Sequence, residues 1–407
     1  MYDSRDESRE KMNILIKSIY CVILLCFICA RVAYADADFE AWKKQFRKQA
    51  LDAGVSVTTL NTYIPKMKLL PEVVRSDRKQ PEFISTFWDY VDKRLTSQRI
   101  NNGLAMMKRY PTWLKRLEQR FGVPGQYLIA FWGLETNYGA TKGSTNILDA
   151  LTTLAYDKRR RTFFTKELIA YLKILETEHW NQVSGSWAGA FGHFQFMPTT
   201  FLAYAVDADN NGSRNIVNNI PDAFASAANY LHRMGWQYDE PWGHEVLLPA
   251  NLDWDMVHNK TGYAVQDWAK RGYLLADGRP LPVKDHKIIA RLVLPMGLAG
   301  PAFLTYPNFY RIMKWNKSEL YALTVAFLAD ILNEDWPGIQ AKRNVLKFSH
   351  LEVKQVQEKL AELGYYTGTI DGQLGPKMRQ AILQYQKEIG LPQDGYLSER
   401  LIGLLTK

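Results

Sequence analysis

Apolar residues recur at helical spacing along most of this chain, and the period shortens in one region only. Phe39, Trp42, Phe46 and Ala50 fall on one helical face, as do Phe164, Leu168, Leu172 and Leu175. Pro221 to Met234 repeats the pattern with Phe224, Ala227, Ala228 and Leu231. The stretch from Asp36 to about Arg120 reads as helical and basic, punctuated by Gly54 and Pro65. Between Gly243 and Pro295 the runs Glu245–Leu248 and Ile288–Leu294 sit between Gly and Pro breaks and predict a few strands. From Pro301 to Leu332 the pattern returns to helix, with Ser318 as an N-cap and Tyr321 in the first turn. Beyond a boundary near Lys347, three short helices are predicted. Val353, Val356, Leu360 and Leu363 mark the first, Met378, Ala381, Ile382, Tyr385 and Ile389 the second, and Leu397 to Leu405 the third. Asp371-Gly372 and Asp394-Gly395 mark turns. The expectation is a mainly α chain with a small β part and a compact C-terminal module.

One helix carries an acid in an unusual place. Pro124 is placed to open it, and Gly139 to stop it. Leu128, Phe131, Trp132 and Glu135 then fall at i, i+3, i+4 and i+7. Glu135 therefore sits on the apolar face near the C-terminal end. Desolvation and the helix dipole both disfavour its charged form there. A carboxylic acid that keeps its proton near neutral pH is what general acid catalysis requires. The competing reading is an acid paired with an arginine for structure, or one that turns out to solvent.

Other stretches add candidate chemistry. Ser184 to Pro198 contains Gly185, Gly189 and Gly192, which let backbone approach a ligand closely, with Ser186 and Gln195 as neutral hydrogen-bonding groups. The alternative there is a tight helix crossing. Lys158-Arg159-Arg160-Arg161 is a solvated charge run or a place to hold an acidic ligand. Tyr90, in an aromatic-rich stretch from Phe83, is a candidate substrate contact. Asp207, Asp209 and Asn211 supply oxygens at positions 1, 3 and 5 of a calcium-type loop, with Gly212 at position 6. Position 12 is Asn218, where such a loop needs an acid, and Asp222 lies beyond it. A polar turn without metal is the alternative.

Charge and the N-terminus narrow the setting. The formal net charge of +9 attracts polyanions without choosing among nucleic acid, anionic lipid and an acidic wall, and no nucleic-acid motif is present. The 12 Trp and 22 Tyr suit sugar faces as well as any core. Ile14 to Ala30 is apolar over a signal-peptide length, and Ala33-Tyr34-Ala35 fits a cleavage site, so residues 1–35 are expected to be removed. An uncleaved anchor is the rival. All three cysteines lie in that segment, which leaves the remainder without a disulfide or thiol chemistry.

Together these residues resemble a known family. Gly133-Leu134-Glu135-Thr136-Asn137-Tyr138-Gly139, the stretch Ser186–Pro198, and Trp315-Asn316 with Tyr321 are similar to lytic murein transglycosylase B and its relatives, over roughly Phe39 to Ala341. The tail from His350 resembles the peptidoglycan-binding domain 1 family in Gln357, Leu363-Gly364-Tyr365, Asp371-Gly372, Gln386 and Asp394-Gly395. The resemblance implies a signal peptide (1–35), a lysozyme-like helical catalytic domain with extra helical and small β subdomains (36–345) and a peptidoglycan-binding module (346–407). It implies Glu135 as sole catalytic acid/base. It implies Ser186, Gln195, Asn316 and Tyr321 along a sugar cleft, and Arg159 and Arg160 toward peptide stems. Trp315 and Phe163 stand where some relatives have Tyr. Some relatives hold a structural calcium in the loop matching Asp207–Asn218, and no cofactor is required for the chemistry. The implied partners are glycan strands and other cell-wall enzymes, and the implied location is the periplasm. A lysozyme-type hydrolase and a non-catalytic wall-binding protein are the alternatives.

Overall fold

The computed structural model describes residues 37–78, 86–180, 183–343 and 348–406. The expected signal segment with its cysteines, the stretch Phe83–Ser85 and the boundary at Lys347 lie outside them. Two compact units are formed, one from residues 37–75 with 145–189 and one from 76–144 with 190–406.

The first unit holds helix α1 (37–52), α2 (Val57–Tyr63), most of α3 (Pro71–Arg78), α8 (Ile147–Tyr156) and α9 (Arg161–Thr177). A short antiparallel ribbon joins β1 (Thr145–Asn146) to β2 (Ser184–Gly185). The heptad-like row predicted for α1 is buried as expected, and its rings form a cluster: Trp42 stacks on Phe39 and Phe46, and Tyr156 meets Phe39 and Trp42 edge-on. Helix α8 is buried almost throughout, so its polar side chains need partners inside. Asp149 accepts from the Lys68 amide (3.0 Å) and Thr153 from the Leu70 amide (2.9 Å), which ties the 67–70 segment down.

The second unit begins with α4 (Phe87–Arg94), α5 (Ser97–Arg109), α6 (Pro111–Phe121) and α7 (Gly125–Thr136). It continues with α10 (Pro198–Tyr204) and α11 (Ile220–Arg233). The β part follows as β3 (Gly243–Leu247), β4 (Tyr263–Ala264), β5 (Leu274–Leu275), β6 (Ile289–Val293), β7 (Pro295–Leu298) and β8 (Ala302–Thr305), with short α12 (Trp254–His258) and α13 (Val265–Lys270) between strands. Five strands pair antiparallel in the order β4-β6-β8-β3-β5. Helices α14 (Pro307–Trp315) and α15 (Glu319–Leu332) complete the body. The helix expected from Pro301 is therefore strand as far as Thr305. All four residues of β8 are buried, so this central strand lacks the alternation that marks a half-exposed one.

At the centre α7 packs against α15, and both are apolar on nearly every side. The single apolar face expected for α7 is too narrow a description, because Tyr127, Ile129 and Ala130 are buried as well. Among the described residues no helix is long and apolar enough to cross a membrane.

The C-terminal module comprises α16 (His350–Glu362), α17 (Pro376–Glu388) and α18 (Glu399–Leu405). Ser349 and Glu352 close a capping box at its start. Val353, Val356, Leu360, Met378, Ala381, Ile382, Leu401 and Leu405 make its core. Leu363 and Ile389, expected on the buried faces, are instead exposed, because each sits at the C-cap where its helix has ended. The two Asp-Gly turns share one hydrogen-bond pattern. Gln357 donates to Asp371 and accepts from the Gly372 amide, and Gln386 does the same with Asp394 and Gly395.

Candidate active site

Glu135 lies in the last turn of α7 and is half-buried. The helix stops at Asn137, two residues before the expected Gly139. Asn137, Tyr138 and Gly139 all take left-handed backbone, with φ of 48°, 60° and 85°. The Asn137 amide bonds to the Gly133 carbonyl and the Tyr138 amide to the Trp132 carbonyl, a glycine-type helix end built on Asn and Tyr. Left-handed tyrosine costs of order 1 kcal/mol or more. Its surroundings offset that: the ring packs edge-on against Trp132 and the hydroxyl donates to the Arg99 carbonyl at 2.8 Å. A methyl group on Gly133 would come within 2.7 Å of that hydroxyl, so Gly133 is the space the tyrosine needs.

Tyr321 meets Glu135 from α15. Ser318 caps that helix by accepting from the Tyr321 amide (3.2 Å), as predicted, and so fixes the first turn. The Tyr321 hydroxyl donates to Glu135 Oε1 at 2.5 Å. Burial, and then the charge of Glu135, push the phenol well above its usual pKa, so it stays a proton donor at any working pH. Tyr90 is buried in α4 with the Arg94 guanidinium 3.5 Å from its ring centroid, and both lie within electrostatic reach of Tyr321. Glu135, Tyr321 and Tyr90 are thus brought together. Replacing Tyr321 by Phe keeps the packing and removes one charge-assisted hydrogen bond. The expected result is a ten- to hundredfold fall in kcat, about 1.5–3 kcal/mol, with little change in Tm. Kinetics and melting of the purified variant check it, and an equal loss of stability would make the tyrosine structural only.

The second glycine-rich stretch enters this unit from Ala190 onward. His193 is its anchor, a role the sequence did not reveal. Trp132 Nε1 donates to His193 Nδ1 (3.0 Å), and Thr136 Oγ1 donates to the His193 carbonyl (2.8 Å). Burial, aided by the charge of Lys142, pushes this imidazole down to about 4, so it is neutral and serves as acceptor. Gly139 is needed for this clamp, since a Cβ there would stand 2.6 Å from the imidazole. Gln195 is also left-handed, and its amide nitrogen donates to the carbonyls of Lys142 (3.1 Å) and Gly192 (3.0 Å). Its donors brace the loop. Asn316 caps α14 in extended backbone, and Trp315 beside it packs on Phe131, Phe194, Phe196 and Tyr230.

Ser186, Arg159 and Arg160 belong to the first unit. The Ser186 carbonyl accepts from the Gly189 amide. The exposed Arg159 donates its amide to Asp157, and Arg160 opens α9 with its guanidinium against Phe163 and Phe164.

In the candidate metal loop, carboxylate oxygens of Asp207, Asp209 and Asp222 lie within 4.8 Å of one another. The third acid comes from α11, not from position 12 of the loop. Asp222 is fully buried and accepts from the amides of Ala208 and Asn215, both at 2.8 Å. Burial raises its pKa, and the charges of Asp209 and Asp207 add to that. Three carboxylates together with Asn211 are a hard oxygen donor set that fits a calcium-type cation.

Two parts of the chain match known families. Residues 38–330 match the Transglycosylase SLT domain family and residues 349–405 a peptidoglycan binding domain family. Membrane-bound lytic murein transglycosylase B of Escherichia coli (strain K12) is 34% identical over 241 residues, 58% of this chain and 64% of that protein. The chain thus spans a little under two thirds of that relative's length. The crystal structure of SltB3 from Pseudomonas aeruginosa in complex with NAG-anhNAM-pentapeptide is 38% identical with a TM-score of 0.81, covering 91% of this chain and 99% of that one. The Escherichia coli lytic transglycosylase Slt35 in complex with calcium is 28% identical with a TM-score of 0.62, covering 72% of this chain and 92% of that one. With Glu135 at the end of a buried helix and a transglycosylase SLT match over most of its length, the chain belongs to the transglycosylase SLT domain family and carries a peptidoglycan binding domain behind it.

Proposed function

We propose that this chain is a lytic transglycosylase that cleaves the β-1,4 bond between N-acetylmuramic acid and N-acetylglucosamine of peptidoglycan and leaves a 1,6-anhydro-N-acetylmuramic acid end. The observation that carries this is the half-buried Glu135 carboxyl held by the Tyr321 hydroxyl. The carboxyl that Tyr321 holds carries the catalytic proton. Glu135 donates it to the glycosidic oxygen as the bond to C1 breaks. The acetamido oxygen of the substrate stabilises the developing positive charge at C1, an alternative to a second enzyme carboxylate. Glu135, now ionised, takes the proton of the C6 hydroxyl while that oxygen bonds to C1. The carboxyl ends protonated, and no water is consumed. Holding the C6 hydroxyl against C1 is an orientation effect.

The acids nearest in sequence support a single-acid reading. Asp149 holds the Lys68 amide and Asp157 the Arg159 amide, both structural tasks in the first unit. Digestion of sacculi in heavy-oxygen water is the test. The new ends are expected to be anhydro ends without label; reducing ends carrying heavy oxygen as the main product would make water the nucleophile and the enzyme a hydrolase.

Ser186, Gln195, Asn316 and Tyr90 serve in this reading as contacts for the sugars, and Arg159 and Arg160 for peptide stems. The tail holds the wall, and the chain works in the periplasm after export, with glycan strands and other wall enzymes as partners. Asp207, Asp209, Asn211 and Asp222 hold a calcium-type cation, whose role is to neutralise three adjacent carboxylates beneath α11.

A further inference from the structure

Two arginines stand close to the Glu135–Tyr321 pair. Arg94 ends α4 and Arg99 stands in the first turn of α5, and both are half-buried. Backbone geometry holds them together: Arg99 Nη1 donates to the Arg94 carbonyl at 2.5 Å, and Thr96 caps α5 by accepting from the Arg99 amide. The Arg99 carbonyl is in turn fixed by the Tyr138 hydroxyl, at the end of the helix that bears Glu135. Arg94 lies flat over Tyr90. The acids close in sequence are engaged elsewhere, Asp89 with Thr86 and Asp92 with Arg343. Among the described residues neither guanidinium pairs with a carboxylate, and Arg99 Nε is enclosed with no acceptor at all. Burial lowers the pKa of Arg99, and the charge of Arg94 lowers it further. Two like charges held side by side, one with an orphaned donor, are an arrangement that an anion relieves.

We propose that Arg94 and Arg99 form a carboxylate subsite next to Glu135, which takes an acidic group of the peptide stem carried by the glycan strand. The pair selects peptide-bearing, free-acid substrate. This rests on the transglycosylase reading for its substrate class. It differs from the stem contacts of Arg159 and Arg160, which lie in the other unit. The arrangement fits a planar two-oxygen anion. Arg94 offers a half-buried guanidinium over the Tyr90 ring, and Arg99 adds a second positive charge beside it.

The test uses binding, so it stands even if the chemistry is misread. Full-length chain carrying Glu135→Gln is titrated with a peptide-bearing muropeptide. The same compound is then used after carbodiimide amidation of its carboxyl groups. Amidation is expected to weaken binding roughly ten- to hundredfold, and Arg94→Gln or Arg99→Gln, added to that background, is expected to remove most of the difference. Arg94→Gln is the cleaner variant, because among the described residues no hydrogen bond depends on its side chain, whereas Arg99 also joins α4 to α5. Equal affinity for the two compounds, or equal weakening of both by Arg94→Gln, would overturn the proposal. Wild-type chain that binds both compounds with the expected preference yet cuts neither would count against the transglycosylase reading and leave the subsite standing.

Discussion

Glu135→Gln is expected to lower cleavage of glycan strands by roughly a thousandfold or more, with sacculus binding within about twofold of wild type. The amide has the shape of the acid and still accepts from Tyr321, so the contact between α7 and α15 survives. What disappears is the proton that must reach the glycosidic oxygen and the base that must later take one from the C6 hydroxyl. In the proposed mechanism one residue serves both halves of the reaction. The melting temperature should not fall, because a half-buried ionisable group is exchanged for a neutral one. Turnover of soluble glycan, circular dichroism and sacculus pull-down measured on one preparation check all three parts. Activity within tenfold of wild type would remove Glu135 from the mechanism.

Replacing Asp330 by Asn should change how stability depends on pH. Asp330 lies in the last turn of α15, where its carboxyl accepts from Trp242 Nε1 at 2.8 Å. Burial raises it to about 7 against the opposing hydrogen bond from Trp242, with the charge of Asp335 adding to the rise. The charge of Asp330 in turn helps to raise the phenol of Tyr127 in α7, after burial as the larger cause. An unfolded aspartate loses its proton near pH 4, so between about 4 and 7 the folded chain binds a proton that the unfolded chain has released. Stability contributed by this group is full below pH 4, falls as pH rises through 7 and is level above that. The loss is of order 2–4 kcal/mol. Asn keeps the acceptor for the indole and cannot ionise. The variant should match wild type at pH 4 and exceed it at pH 8, as read by urea denaturation at both. Parallel pH slopes would show that Asp330 does not titrate in that window.

What could be read beforehand followed from local rules. The row Leu128, Phe131, Trp132, Glu135 located the acid, and Ser318 predicted the turn that aims Tyr321, because spacing and caps act within a few residues. The strand β8 was hidden because burial on both faces removes alternation, and the ends of α16 and α17 were overrun by one residue each. The most consequential omissions were non-local. Nothing near Tyr138 in sequence shows that it reaches the Arg99 carbonyl, and nothing near His193 shows that Trp132 and Thr136 hold it. Their trace was the glycines: Gly133 makes room for the nearby Tyr138 ring and Gly139 for the distant His193 ring. In the metal loop, counting positions stopped at Asn218, while the fold brings Asp222 from the next helix.

The two matching Asp-Gly turns of the tail differ in one respect. Asp394 spends its second carboxylate oxygen on the Leu298 amide of β7, at 3.0 Å, and the Gly297 backbone lies against Asp394 and Tyr396. This contact fastens the tail to β7 within its own unit. In the proposed reading, a strand held by the tail would reach Glu135 at a set offset along its length, so the spacing of cuts would be a dimension of the protein and not an accident of diffusion.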